Sequence, residues 1–146
     1  MYKTKKGGNI MLNLNELKVI LDEWLTKIET EDNIPDDIVG INIGIIKKSD
    51  YRYTFYFTGA KKFNYWDDNW ACIVDYEPKN KTLDIPVEVA SDIIWYEFLD
   101  YLENILLEIK EKHRNYKLFN IENMTFGFDT GSLVYIGNLQ HNLNCC

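Results

Sequence analysis

The chain has 146 residues, of which 46% are hydrophobic, 27% charged and 14% aromatic, and its formal net charge is −7. This composition is typical of one globular domain and excludes a disordered or fibrous chain. The negative charge argues against a nucleic-acid binder, because affinity for phosphates comes from clustered lysine and arginine. We find neither an apolar run of the ~18 residues that a membrane-spanning helix needs nor a signal-peptide core, so we expect a cytoplasmic protein without membrane contact.

Residues 1–10 differ in composition from the rest of the chain. They carry three lysines and two glycines before a second methionine, Met11, after which a helical pattern starts at once. The peptide from Lys5 to Met11 can be back-translated to a purine-rich ribosome-binding sequence followed by a start codon. We therefore expect residues 1–10 to be a non-native extension or a flexible basic arm, and residues 11–146 to form a single domain.

Two segments show apolar residues spaced three and four apart, which is typical of amphipathic helices. The first helix is predicted over residues 14–28, where Asn13 and Glu16 stand in capping-box positions. The second is predicted from a cap at Ser91 to about Arg114. The spaced residues are Leu14, Leu17, Leu21, Trp24 and Ile28 in the first helix, and Trp95, Phe98, Leu102, Ile105 and Ile109 in the second.

Five segments have the character of β-strands. Residues 38–46 are β-branched and almost continuously apolar, as in a strand that is buried on both faces. Residues 51–58 alternate aromatic and polar side chains, and we expect the aromatic stripe to face the core. A third strand is predicted over residues 70–76, after the loop. Residues 124–129 and 133–137 flank four turn-forming residues and predict a final hairpin. The aromatic stripe consists of Tyr51, Tyr53, Phe55 and Phe57.

The elements follow one another in the order α-β-β-β-α-β-β. A run of strands between two helices favours an α+β fold over a parallel βαβ fold. We therefore predict an antiparallel sheet of about five strands with both helices packed on one of its faces.

The sequence contains few candidates for chemistry. Asp129-Thr130-Gly131-Ser132 looks like the active-site motif of aspartic proteases, but only fourteen residues follow it, so we interpret it as a hairpin turn. The three cysteines, Cys72, Cys145 and Cys146, form an odd set without the paired spacing of structural zinc sites, even with His141 nearby. We predict no catalytic residue, no cofactor and no metal site.

The loop between the second and third predicted strands is less easily explained by folding. It places Tyr65, Trp66 and Trp70 beside Asp67 and Asp68. Aromatic residues provide contact area in protein interfaces, and carboxylates select a basic partner. We predict partner binding here, with a sugar-binding loop or tryptophans that tuck under the sheet edge as alternatives. Two carboxylates that follow, Asp75 and Glu77, extend this candidate surface. An acidic run earlier in the chain would add to the surface if the run lies beside the loop. The run contains Glu29, Glu31, Asp32, Asp36 and Asp37.

Two motifs give the chain a likeness to a known class of proteins. Residues 65–78 contain Tyr-Trp-Asp-Asp-x-Trp followed by Asp-Tyr-Glu-Pro, and residues 126–133 read Phe-Gly-Phe-Asp-x-Gly-x-Leu. With its size, acidity and aromatic content, the chain resembles the immunity proteins of bacterial polymorphic toxin systems. The resemblance covers a minor part of the chain and implies stoichiometric binding and inhibition of a cognate toxin domain, often a nuclease with a basic surface.

Two other functions remain open at this point. The chain could be a small enzyme or ligand-binding domain with a pocket between the aromatic sheet face and the helices. It could also be a structural homodimer that pairs through an edge strand. A filled core with an exposed acidic and aromatic patch would favour the toxin inhibitor, whereas a pocket with convergent polar groups would favour the ligand-binding domain.

Overall fold

A computed structural model describes residues 14–49, 52–85 and 95–136, with the side chains of residues 95 and 96 excepted. Residues 1–10, the caps Asn13 and Ser91, and the tail with His141, Cys145 and Cys146 lie outside these ranges. Within them the chain forms two α-helices, two short 3-10 helices and five strands. The helices are α1 (Leu14–Glu31) and α2 (Trp95–Lys112), the 3-10 helices are Asp68–Cys72 and Lys117–Asn120, and the strands are β1 (Gly40–Ser49), β2 (Arg52–Ala60), β3 (Thr82–Ile85), β4 (Asn123–Phe128) and β5 (Val134–Tyr135).

The α+β class is confirmed, but the sheet is mixed and not antiparallel. Its strand order is β3-β2-β1-β4-β5, and the central pair β1 and β4 is parallel, with Gly40 opposite Asn123. The other three pairs are antiparallel. β1, β2 and β3 alternate in direction, so the chain leaves β3 at the end of the sheet to which β1 points. α2 then carries the chain back to the opposite end, and β4 therefore runs in the same direction as β1.

The predicted third strand is in the wrong place. Residues 68–72 form a 3-10 helix, and of the following residues Tyr76 makes an isolated bridge to Gly59. The strand beside β2 is β3, where Leu83 lies opposite Phe55. Asp67 accepts a hydrogen bond from the backbone N–H of Asn69, and this cap starts the helical turn in a segment whose apolar pattern favours a strand.

One face of the sheet carries the apolar core, as the aromatic stripe predicts. Tyr53, Phe55 and Phe57 are buried under the helices, while Tyr51 lies outside the described ranges. The ring of Tyr53 stacks on Phe98 of α2 at 4.7 Å, and the edge of Trp24 in α1 meets Phe55 and Phe57 at 6.4 and 6.3 Å. The helices therefore pack directly on the sheet through filled aromatic contacts. At these positions the rings fill the space between the helices and the sheet.

The opposite face of the sheet is built from small and polar residues, and it is also largely buried. Asn42, Thr58 and Thr125 lie on this face, and the hydroxyl of Thr125 donates a hydrogen bond to the side-chain oxygen of Asn42 at 2.9 Å. Gly44 is required here, because a Cβ at this position would overlap the ring of Tyr56, which lies flat across it. The small residues leave room for a third layer on this face.

The two helices run in the same direction and are joined by a polar cluster at Asp22. Its carboxylate, which is only 14% exposed, accepts hydrogen bonds from Lys112 and His113 at 2.8 Å each. The His113 ring stacks on Tyr116, whose hydroxyl contacts Thr26 of α1. Burial alone would raise the pKa of the Asp22 carboxyl, but the hydrogen bonds and charges of Lys112 and His113 together lower it below its ordinary value of 3.8.

This cluster gives a pH-dependent prediction. Because the pKa of Asp22 is lower in the folded protein than in the unfolded chain, its contribution to stability is complete above about pH 4 and is lost as the pH falls through the folded-state value. The substitution Asp22→Asn should therefore lower the free energy of unfolding by about 1–2 kcal/mol at neutral pH and by less near about pH 3. Urea unfolding at both pH values measures the difference, with exposed Glu23→Gln as control. An equal loss at both pH values would contradict the prediction.

Candidate functional site

Residues 61–77, most of the segment between β2 and β3, are called the aromatic loop below, and they form the third layer of the fold. Trp70 is only 6% exposed, and its ring packs on the backbone of Gly40, where a Cβ would come within 2.7 Å of the ring. Phe63 meets the Trp70 ring at 4.9 Å and the Tyr135 ring of β5 at 5.7 Å. The loop therefore covers the polar sheet face and reaches the C-terminal hairpin.

The two tryptophans of the predicted site have different environments. Trp66 is 73% exposed and is the most exposed of the large hydrophobic residues that the structure describes, whereas Trp70 belongs to the interior of the loop layer. The alternative in which both tryptophans tuck against the sheet thus describes Trp70 and not Trp66. Of these two tryptophans, only Trp66 exposes its indole ring to solvent.

Trp66 stands on a turn that the backbone and neighbouring rings hold in place. Its N–H donates to the side-chain oxygen of Asn64 at 2.9 Å, and the N–H of Asp67 donates to the backbone carbonyl of Asn64 at 3.3 Å. The Trp66 ring meets the edge of Tyr65 at 4.8 Å, and the Tyr65 ring lies 5.0 Å from Tyr135. The exposed indole is therefore positioned before any partner arrives.

The four carboxylates of the predicted site are all exposed. Each of them also makes a hydrogen bond or ion pair that fixes the loop, so their positions are defined. Asp67 accepts from the N–H of Asn69 at 3.0 Å, Asp68 from the N–H of Leu133 at 3.2 Å and Asp75 from the N–H of Lys61 at 2.7 Å, while Glu77 pairs with Lys81 at 3.4 Å.

Two exposed apolar residues of the loop were not predicted from the sequence. Ile73 is 63% exposed and Val74 is 46% exposed, directly after the 3-10 helix. In the sequence they belong to an apolar run that indicates a buried strand, so the sequence does not predict their exposure. Together with Trp66 they place three large hydrophobic side chains on the outer surface of one loop, among its carboxylates.

The acidic run contacts the first residue of the aromatic loop and the segment just after the loop, and it is largely engaged within the fold. Asp37 pairs with Lys61 at 3.4 Å, and Asp32 accepts a hydrogen bond from the N–H of Lys79 at 2.8 Å. Glu29 accepts from the N–H groups at the start of the second 3-10 helix, at 2.8 and 3.1 Å. These contacts give the run a structural role that the sequence alone does not reveal.

The Asp129-Thr130-Gly131-Ser132 segment forms the turn of the β4–β5 hairpin, as predicted. The N–H of Gly131 donates to the carbonyl of Phe128 at 3.0 Å, and Thr125 lies opposite Tyr135 in the ladder. The four residues of the turn are exposed. The motif therefore forms a hairpin turn.

No group of three or more histidine, cysteine or acidic side chains in residues 14–49, 52–85 and 95–136 is arranged to hold a metal ion. Neither described helix has the length and apolar composition to cross a membrane. Comparison of the chain with models of known protein families, with curated proteins and with solved structures finds no match.

Proposed function

We propose that this protein binds and neutralises a bacterial toxin domain with a basic surface, in the manner of an immunity protein. The observation that carries the proposal is Trp66, which is 73% exposed on a hydrogen-bonded turn. We call its surroundings the contact surface; it consists of the exposed side chains of Trp66, Asp67, Asp68, Ile73, Val74, Asp75 and Glu77.

The exposed tryptophan supports a binding role on energetic grounds. An indole loses its contact with water when a partner covers it, and tryptophan is enriched among the residues that dominate binding energy. The turn at Asn64 holds Trp66 in place, so binding requires little ordering of the loop. Such pre-organisation favours an interface of high affinity.

The charge of the chain supports a basic partner. The net charge is −7, and the four carboxylates of the contact surface are exposed in the same loop as its apolar side chains. Opposite charge on the partner would speed association and favour one partner over others. A nuclease toxin has the required basic surface because it binds phosphates. An inhibitor of such a toxin acts where the nucleic acid is, so we place its action in the cytoplasm.

The direct test uses the toxin domain encoded beside this gene in its genome. The two purified proteins should form a stoichiometric complex by light scattering, and the complex should lack the toxin activity. Calorimetry gives the dissociation constant. A neighbouring toxin domain that stays fully active with an excess of this protein would overturn the proposal, whereas a mass of twice the free chain would point to the homodimer.

The carboxylates should act mainly on the association rate. Asparagine at positions 67 and 68 keeps the side-chain oxygen that accepts from Asn69 or Leu133 and removes the charge. We expect Asp67→Asn and Asp68→Asn to slow association by about two- to tenfold at low salt, and the difference to shrink as salt rises. Stopped-flow measurements at several salt concentrations check this; rates that match the wild type at every concentration would exclude charge steering by these residues.

A further inference from the structure

The aromatic loop alone is too small for a complete protein interface. It has seventeen residues, of which twelve are exposed. A stable protein interface uses about 20–30 residues on each side and buries about 800 Å² per partner. If the proposed function holds, the footprint of the toxin has to extend beyond the loop onto a neighbouring surface.

Two neighbouring surfaces contact the loop, and they lie at different places. The acidic run contacts the loop at Lys61, its first residue, and contacts the chain again at Lys79, two residues after the loop ends. The C-terminal hairpin instead reaches the part that carries Trp66, through the Tyr65 ring on Tyr135 and the carboxylate of Asp68 on the N–H of Leu133. Residues that dominate binding energy cluster near the centre of an interface, so the surface beside Trp66 is the more central one.

The turn of the hairpin is itself suited to contact a basic partner. Residues 129–132 are exposed, and Asp129 adds a carboxylate of the same sign as those of the contact surface. The turn folds over the sheet, because the carbonyl of Ser132 lies within 2.9 Å of where a Cβ of Gly127 would be. The loop is thus joined to the residues that directly follow the turn, by ring contacts to Tyr135 and by a hydrogen bond to Leu133 across 65 residues of sequence.

We infer that the binding surface is composite and that a basic toxin domain contacts both the aromatic loop and the turn of the C-terminal hairpin, residues 129–132. This inference rests on the proposed function and adds a second segment to its surface. It gives the turn of the hairpin a direct role in partner recognition.

Three arginine substitutions test the inference with the neighbouring toxin domain as the probe. Thr130→Arg places a positive charge in the hairpin turn, Asn33→Arg places it in the acidic run, and Asn104→Arg places it on the exposed side of α2 across the sheet. Each variant changes the net charge by the same amount, so a general charge effect is shared. We expect Thr130→Arg to raise the dissociation constant at least about tenfold and the other two to change it less than about twofold.

The control at the same position is Thr130→Glu, which should bind at least as tightly as the wild type, and thermal melting verifies that each variant is folded. If Asn33→Arg weakens binding and Thr130→Arg does not, the footprint extends to the acidic run and the inference is wrong. Wild-type affinity in all three arginine variants, with binding still lost in Trp66→Ala, also overturns it but leaves the proposed function in place. A wild-type protein that does not bind the toxin overturns both.

Discussion

Replacing Trp66 with alanine is expected to weaken toxin binding by at least about 2 kcal/mol, which is about 30-fold in the dissociation constant, without lowering the melting temperature. The indole is 73% exposed, and its ring contact is with Tyr65, which itself rests on Tyr135. The folded protein therefore loses little packing when the ring is removed, whereas the complex loses its central apolar contact. Calorimetry with the toxin domain and thermal melting of the free protein measure the two effects.

A matched control comes from α1. Val19 is 54% exposed and lies on the helix layer, on the other side of the sheet from the aromatic loop. The variant Val19→Ala should leave both the affinity and the melting temperature unchanged, because exposed substitutions away from special features are usually mild. Normal affinity in a well-folded Trp66→Ala protein would move the interface away from this loop.

Local patterns were sufficient to predict both helices and the apolar sheet face. The spacing of Leu17, Leu21 and Ile28 places them on one side of a helix, and all three are fully buried in the structure. The alternation of Tyr53, Phe55 and Phe57 similarly assigns them to one face of β2. In both cases the period of the side chains decides which of them can reach the core.

Strand direction and strand position depended on contacts that are distant in sequence. β1 and β4 are separated by more than 70 residues, and their parallel pairing follows from the path of α2 and from no local signal. β3 is four residues long and contains Asp84, whose carboxylate accepts a hydrogen bond from Thr54 of the neighbouring strand. The sequence of such a short polar strand predicts β-structure less strongly than the apolar run at residues 70–76 does, although that run forms no regular strand.

The candidate site was predicted as a segment, but the roles within it were not. Trp66 and Trp70 are four residues apart among the same kinds of neighbours, so their sequence context does not separate them. Trp70 is buried because Gly40 lacks a Cβ and leaves room for its ring, and Gly40 precedes the loop by more than 20 residues. The same limit applies to Ile73, whose exposure depends on the 3-10 helix that ends beside it.

The difference between the two tryptophans gives the largest expected effect on stability. Trp70 is 6% exposed and fills the space between Gly40 and Phe63. Trp70→Ala should remove this packing and cost about 3–5 kcal/mol of folding free energy. For a chain of this size, that loss corresponds to a fall of about 10 °C or more in melting temperature.

Trp66→Ala is the natural comparison, since it is the same substitution in the same loop. Urea unfolding and thermal melting of the two variants should differ widely, with the loss confined to Trp70→Ala. Because the loop layer covers buried polar residues such as Asn42 and Thr125, its loosening should also speed hydrogen exchange of the central strands. If Trp70→Ala has the melting temperature of the wild type, the aromatic loop does not contribute to the core and the three-layer packing is wrong. If the melting temperature of Trp66→Ala is instead as low as that of Trp70→Ala, the exposed indole contributes to folding and its assignment to the contact surface is wrong.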